Sequence, residues 1–217
     1  LFVVAGYGLS GEDQAEIKQE NADVEFGYFA DTVIGDTPNA IRVFSQTTDI
    51  STFELVSGEF PTKSNEVALA QTMADQYKIG DTIRLNESGS STLLKEHEFT
   101  ITGFVNSSEI LSNTIKGVSS AGSGDLSGFA VVPKDAFDSE VYTIARLRYP
   151  ELRKWKTTSR EYSDKVTELQ QALEEKLADN GTARLDALKT TADDKISEGK
   201  EKITDAKTQL SDAEKKL

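Results

Sequence analysis

From Leu188 to the C-terminal end, apolar positions fall into two interleaved series seven residues apart. Ile196, Ile203, Leu210 and Leu217 form one, and Ala192, Gly199, Ala206 and Ala213 the other. Apolar a and d positions repeating every seven residues mark a coiled coil. Large residues at a and very small ones at d let two helix axes approach closely. The stretch holds no Pro and no aromatic residue. A helix with such a stripe is marginal in water without a packing partner. The pattern predicts a continuous helix from about Thr190 to the end, projecting from the body, with Ile196, Ile203 and Leu210 exposed or covered by a partner helix. The plainer reading is an amphipathic helix lying on the body.

Upstream, the periodicity changes from element to element. Ser10, Gly11, Glu12 and Asp13 form a capping-box pattern, which predicts a short helix through about Gln19. Val24–Ile34 is rich in aromatic and β-branched residues and reads as one strand. Gly35–Asn39 reads as a turn and Ala40–Gln46 as the returning strand of a hairpin. Thr158, Ser159, Arg160 and Glu161 form a second capping-box pattern. Behind it Tyr162, Val166, Leu169, Leu173 and Leu177 recur at helical spacing. Asn180 and Gly181 read as a left-handed end to that helix, and Ala183–Ala187 as a short closing strand. Between these regions, residues 51–135 hold short strand signals at Glu66–Ala70, Thr82–Leu85, His97–Val105 and Phe129–Val132. A polar turn lies at Asn86–Thr92 and a Gly/Ser-rich, mobile run at Gly117–Asp125. Val141–Tyr149 reads as a strand.

Composition narrows the function classes. The 217 residues carry a net charge of −13 and are 37% hydrophobic. That charge repels phosphates, so no nucleic-acid partner is expected, and no basic membrane-facing patch. There is no cysteine. No run reaches the roughly 18 apolar residues a membrane span needs. The chain begins Leu1–Ala5 without Met and ends inside its heptad pattern, so it is expected to be a fragment of a longer protein. Leu1–Ala5 reads either as the tail of a membrane helix or as an ordinary strand.

Candidate chemistry is sparse. Gly6, Gly8 and Gly11 match G-x-G-x-x-G after an apolar run and before a helix, the arrangement of a dinucleotide-binding turn. Against it, Glu12 and Asp13 place negative charge where a pyrophosphate would sit. The following helix is short and polar, and no βαβ repeats follow. The only histidine, His97, lies among charged neighbours. No nucleophile elbow is seen, and one histidine without cysteine excludes a His/Cys metal cluster. No catalytic residue, cofactor site or metal site is expected. The 37 acidic residues read mainly as a solvated face. Trp155, between Lys154 and Lys156, suits either a surface patch or a contact with lipid headgroups or a partner. Ile110, Leu111 and Ile115 in a polar loop form either a satellite of the core or a partner-binding patch.

One segment has a more particular pattern. Gly58, Pro61, Glu66-Val67, Ala70, Ala74 and Gly80-Asp81-Thr82-Ile83 follow a turn, strand, short helix, turn, strand order. In this the chain resembles the extracytoplasmic domain of MacB/FtsX-like ABC-transporter permeases, in the Gram-positive form with a coiled-coil insertion. Glu59 stands where that pattern has Arg. Phe99–Val105, with Gly103, is similar to a further strand of the same family. The resemblance implies an α+β fold: a porter-like α/β sandwich subdomain, an inserted small β-rich subdomain and a long protruding coiled-coil helix. On this chain that gives 1–50 and 136–187 for the first subdomain, 51–135 for the insertion and 188–217 for the arm. The order of the elements, and the need of the helix behind Ser159 to bury its stripe on a sheet, predict that residues 10–50 and 136–187 pack together around Val166, Leu169 and Leu173.

The resemblance further implies a non-catalytic domain at the cell membrane, on its extracellular side. It would transmit ATP-driven movement from a cytoplasmic ATPase subunit, through transmembrane helices, to an extracellular partner. That partner would be a cell-wall hydrolase, an accessory protein, or a peptide or lipid substrate. The alternatives are a secreted coiled-coil scaffold or adhesin, and a dinucleotide-binding enzyme acting through Gly6, Gly8 and Gly11.

Overall fold

A computed structural model describes residues 1–87, 92–110 and 116–214, with side chains described to residue 209. In chain order the elements are β1 (Phe2–Leu9), α1 (Gly11–Lys18), β2 (Asp23–Gly27), β3 (Phe29–Ile34), β4 (Ala40–Ser45), β5 (Glu54–Gly58) and β6 (Glu66–Ala70). They continue with β7 (Thr82–Glu87), β8 (Glu98–Asn106), β9 (Leu126–Val132), β10 (Tyr142–Arg148), α2 (Arg160–Leu177) and α3 (Asn180–Glu214). The class is α+β, as expected.

The strands make two sheets. The smaller has the order β1-β10-β2, with both pairings antiparallel. The larger runs β5-β8-β6-β9-β4-β3-β7, and β7 also pairs with β8, so it closes on itself. Its β4–β9 and β6–β8 pairings are parallel. Each sheet has its own core. Val43, Val67, Leu69, Ile101 and Val131 lie inside the larger, while Leu9, Ile17, Leu147 and Leu173 join the smaller to α1 and α2.

The expected single strand at Val24–Ile34 is two strands in two sheets. The chain changes sheet at Tyr28, and its backbone groups there find side-chain partners. The Ser45 hydroxyl accepts from Tyr28 N–H at 2.9 Å, and Thr143 Oγ1 accepts from Phe29 N–H at 2.7 Å. Ser45 N–H in turn donates to Tyr28 O at 2.9 Å. A Cβ on Gly27 would sit 2.8 Å from Ser45 Oγ, so a larger residue beside the crossing would have to displace that hydroxyl. Composition alone does not show this break, because both halves carry strand-forming residues. As a result, residues 29–45 lie in the larger sheet, whereas the sequence grouped residues 1–50 with 136–187.

The segment from Gly58 to Ile83 follows the expected order with two changes. Its helix is a single 3₁₀ turn, Gln71–Met73, and Gly58 is the last residue of the strand β5. Gly58 adopts φ +77°, and a Cβ there would meet Thr102 O at 2.2 Å. A residue with a side chain fits neither that dihedral nor that clearance. The Glu66 carboxylate gathers Thr62 N–H, at 2.9 Å, and Lys63 N–H, at 3.1 Å, closing the turn ahead of β6. These bonds, first that from Thr62 and then the Lys63 ammonium, pull its pKa down to about 2.

Four further expectations change. The first-turn cap of α2 is Ser159, which accepts from Tyr162 N–H at 3.2 Å, so Thr158 and Glu161 form no reciprocal box. Asn180 and Gly181 do not end the helix in a left-handed cap. Ala178 caps α2 in right-handed conformation, and Asn180 already opens α3. Ala183–Ala187 is helical within α3 and not a strand. The Gly117–Asp125 run is pinned rather than loose. Val118 bridges Asp125, Ser120 N–H donates to Asp31 Oδ2 at 2.9 Å, and Ala121 is buried. The turn at Asn86–Thr92 begins later than expected, since Asn86 and Glu87 belong to β7; residues 88–91 lie outside the described residues.

Candidate functional site

The helical arm begins on the smaller sheet. Leu173 of α2 is buried there, with Leu169 and Leu177 half-buried beside it. Only Ala178 and Asp179 interrupt the run from α2 into α3, and Ala183 N–H rejoins the helical ladder on Asp179 O at 3.0 Å. Asn180 Nδ2 donates to Asp13 Oδ1 at 2.9 Å and to Glu16 Oε2 at 2.7 Å, tying the start of α3 to α1. Lys176 Nζ reaches Glu20 Oε1 at 2.8 Å, and the Tyr149 hydroxyl donates to Glu20 Oε2 at 3.0 Å. Burial, and then the Glu20 carboxylate, raise the Tyr149 pKa, so its phenol stays a donor. The root is therefore a polar clamp in which carboxylates in and just after α1 hold donors of Tyr149, α2 and α3.

Beyond the root the helix stands clear of the body. From Thr191 to Gln209 every residue is exposed except Gly199, which is half-exposed. Ile196 is 53% and Ile203 58% exposed, on an otherwise polar helix. Ala192, Ile196, Gly199, Ile203 and Ala206 thus share an uncovered stripe at heptad spacing. The side chains of Leu210 and Ala213, and all of Leu217, lie outside the described residues.

The other sequence-derived candidates scatter. Ile110 is half-buried against the larger core, while Leu111 and Ile115 lie outside the described residues. Trp155 is half-buried after the 3₁₀ turn Pro150–Lys154, with the Lys154 ammonium 5.9 Å above its ring. Gly6 and Gly8 lie within β1, which pairs with the antiparallel β10 and not with β2, so the turn into α1 does not open the adjacent parallel-strand unit of a dinucleotide fold. Gly8, at φ +78°, is packed on Val141, and the Ser10 and Asp13 side chains cap the helix start. His97 is exposed, with Nδ1 3.3 Å from Leu85 O. Among the described residues no cluster of acidic, His or Cys groups has metal-binding geometry, and no helix is long and apolar enough to cross a membrane.

The polar residues that matter most to the body were not visible beforehand. Arg146 of β10 is 1% exposed. Its Nε donates to Glu109 Oε1 at 2.5 Å, and its guanidinium lies 5.6 Å from the Phe44 ring of the larger sheet. Burial would raise the Glu25 carboxyl, but backbone N–H groups of Ile50, Thr48 and Asp49 outweigh it and hold it low. Asp31 is likewise held low: Arg42 and the Ser120 N–H outweigh its burial. The alternation of β10 marks Arg146 as inward only once the strand's register is known.

No protein family matches the chain, and no curated protein does. Among solved structures, the extracellular domain of the noncanonic ABC-type transporter YknZ from Gram-positive bacteria is similar in structure. The identity is 10%, the TM-score 0.42, and the match covers 78% of this chain and 92% of that one. The likeness is one of structure alone, and no residue role passes from that protein to this chain.

Proposed function

We propose that this chain is the non-catalytic extracellular domain of an ABC-transporter permease of the MacB/FtsX type, at the cell membrane. In that role it receives ATP-driven movement from a cytoplasmic ATPase subunit through transmembrane helices. It passes the movement along its arm to an extracellular protein or to a peptide or lipid substrate. The sequence pattern from Gly58 to Ile83 motivates the family reading. The observation that carries the mechanical reading is the root of the arm: α2 packs on the smaller sheet through the buried Leu173, and α3 continues it with one clamped interruption. A displacement of that sheet is delivered to the arm as a rotation of a stiff rod, at about 1.5 Å of reach per residue. In the intact protein a returning helix covers Ile196, Ile203 and Leu210, and Gly199, Ala206 and Ala213 mark the closest approach.

The test is reconstitution of the full-length gene product in vesicles with its ATP-hydrolysing subunit and its extracellular partner. Two glycines inserted after Asp179 should leave basal ATP hydrolysis unchanged and abolish its stimulation by the partner. A full-length product that has no membrane spans, or recruits no ATPase, would overturn the transporter reading. Retained stimulation in the glycine variant would overturn the mechanical one.

A further inference from the structure

The two edges of the smaller sheet differ. The β2 edge is covered: the Glu25 carboxylate holds Thr48, Asp49 and Ile50 N–H groups from the segment after β4. The β1 edge has no neighbouring strand among the described residues. Leu147 N–H donates to Leu1 O, so the Leu1–Leu147 and Val3–Ala145 positions face each other in hydrogen-bonded pairs. The N–H and C=O groups of Phe2 and Val4 consequently point to the free edge. An open edge of this kind is a template for another strand.

The space beside that edge is already shaped. A cavity of about 500 Å³ lies between Leu1–Val4 and the α2 residues Gln170, Leu173 and Leu177. A second, of about 280 Å³, continues along Val3–Leu9 to Leu177, Gly181 and Arg184. Together they run the length of β1. Arg184 Nε is out of solvent and has no acceptor among the described residues.

Topology says which strand belongs there. β1 and β2 are parallel to each other, since both are antiparallel to β10 between them, and α1 is their crossover. α2 leaves β10 and packs on the same face as α1, through Ile17 and Leu173. Crossovers between parallel strands are right-handed in about 98% of cases. β10 runs opposite to β1, so a right-handed crossover over that face moves back toward β1 and lands beyond it. We propose that a further strand, supplied by this protein's own chain downstream of α3, adds to the free edge of β1 and antiparallel to it. The sheet then has the order new strand, β1, β10, β2, two interleaved βαβ units. The arm is an excursion within the second crossover. Alternate residues of the incoming strand meet Leu173 and Leu177, and its backbone offers Arg184 an acceptor. This inference stands on strand order and is independent of the transporter reading.

Residue-resolved amide hydrogen exchange tests it, comparing the 217-residue chain with the same chain continued through the coding sequence after Leu217. In the longer chain the Phe2 and Val4 amides should exchange at least about tenfold more slowly. Val4→Pro removes an edge N–H that the three-stranded sheet does not use. It should therefore lower the melting temperature of the longer chain and not of the shorter. The proposal is overturned if no coding sequence follows, or if protection does not change. It is equally overturned if Val4→Pro acts alike on both chains. Protection of the shorter chain that rises with its concentration would assign the edge to a second copy instead.

Discussion

The larger sheet and the arm make opposite use of apolar residues. In the sheet, Val67, Leu69, Ile101 and Val131 are wholly buried in one core cluster. In the arm, Ile196 and Ile203 face water and nothing in the described structure covers them. The sheet is stable by its own burial. The arm has only its intrahelical bonds, which are marginal in water for a helix without a packing partner. One polypeptide therefore holds a region whose apolar residues are buried and a region whose apolar stripe faces water.

The sharpest way to break that contrast is to damage the body and watch the arm. Arg146→Met leaves Glu109 in a site without its cation, and breaking a buried pair of this kind costs about 3–5 kcal/mol. Urea denaturation should show the loss in the body, followed by Trp155 fluorescence. Gly58→Ala comes next: a left-handed dihedral and a Cβ 2.2 Å from Thr102 O together should cost about 3 kcal/mol in the same measurement. If either variant melts like the parent, the body is not the tightly matched unit described.

The arm should respond to the reverse experiment. In a chain carrying both arms, Ala206→Leu should weaken helix pairing by about 1–3 kcal/mol through overpacking. It should leave the melting of the body unchanged. Equal or greater pairing stability, read by circular dichroism, would remove the close-packed model and return the stripe to some other surface.

The smallest effect at neutral pH separates the regions by acid. The Glu66 pKa falls from an ordinary 4.5 to about 2 on folding. The stability this brings is fully present above pH 4.5 and is lost as the pH falls toward 2. Glu25 and Asp31 are held low as well and act with the same sign. Glu66→Gln should flatten the decline of body stability across that window, with no change in arm helicity. An unchanged slope would show that Glu66 does not drive it.

What the sequence revealed follows the same division. Local signals were legible: the Ser10 box, the Gly35–Asn39 turn, β6 and β10, and the heptad of α3 are each written in a few adjacent residues. Features that depend on distant partners were not. The break at Tyr28 needs Ser45 and Thr143, and Arg146 needs Glu109 and Phe44. Asn180 looked like a helix stop because Asn-Gly favours one. The carboxylates of Asp13 and Glu16, far away in sequence, instead make it an anchor at the start of α3. Of the proposed partner surfaces, the Ile196–Ala206 stripe could be read from spacing alone, since exposure is the default for a helix with nothing near it.

The change of sheet at Tyr28 also orders the folding of the chain. Phe29 N–H and the Thr143 hydroxyl that receives it are 114 positions apart. Closing a loop of that length carries an entropic cost before any contact rewards it. The larger sheet lies almost entirely within that loop, and forming it draws Phe29 and β10 together. β2 then meets β10 across a short gap instead of a long one. The smaller sheet, and the arm rooted on it, should accordingly appear late in refolding, after a phase in which residues 29–132 are already protected.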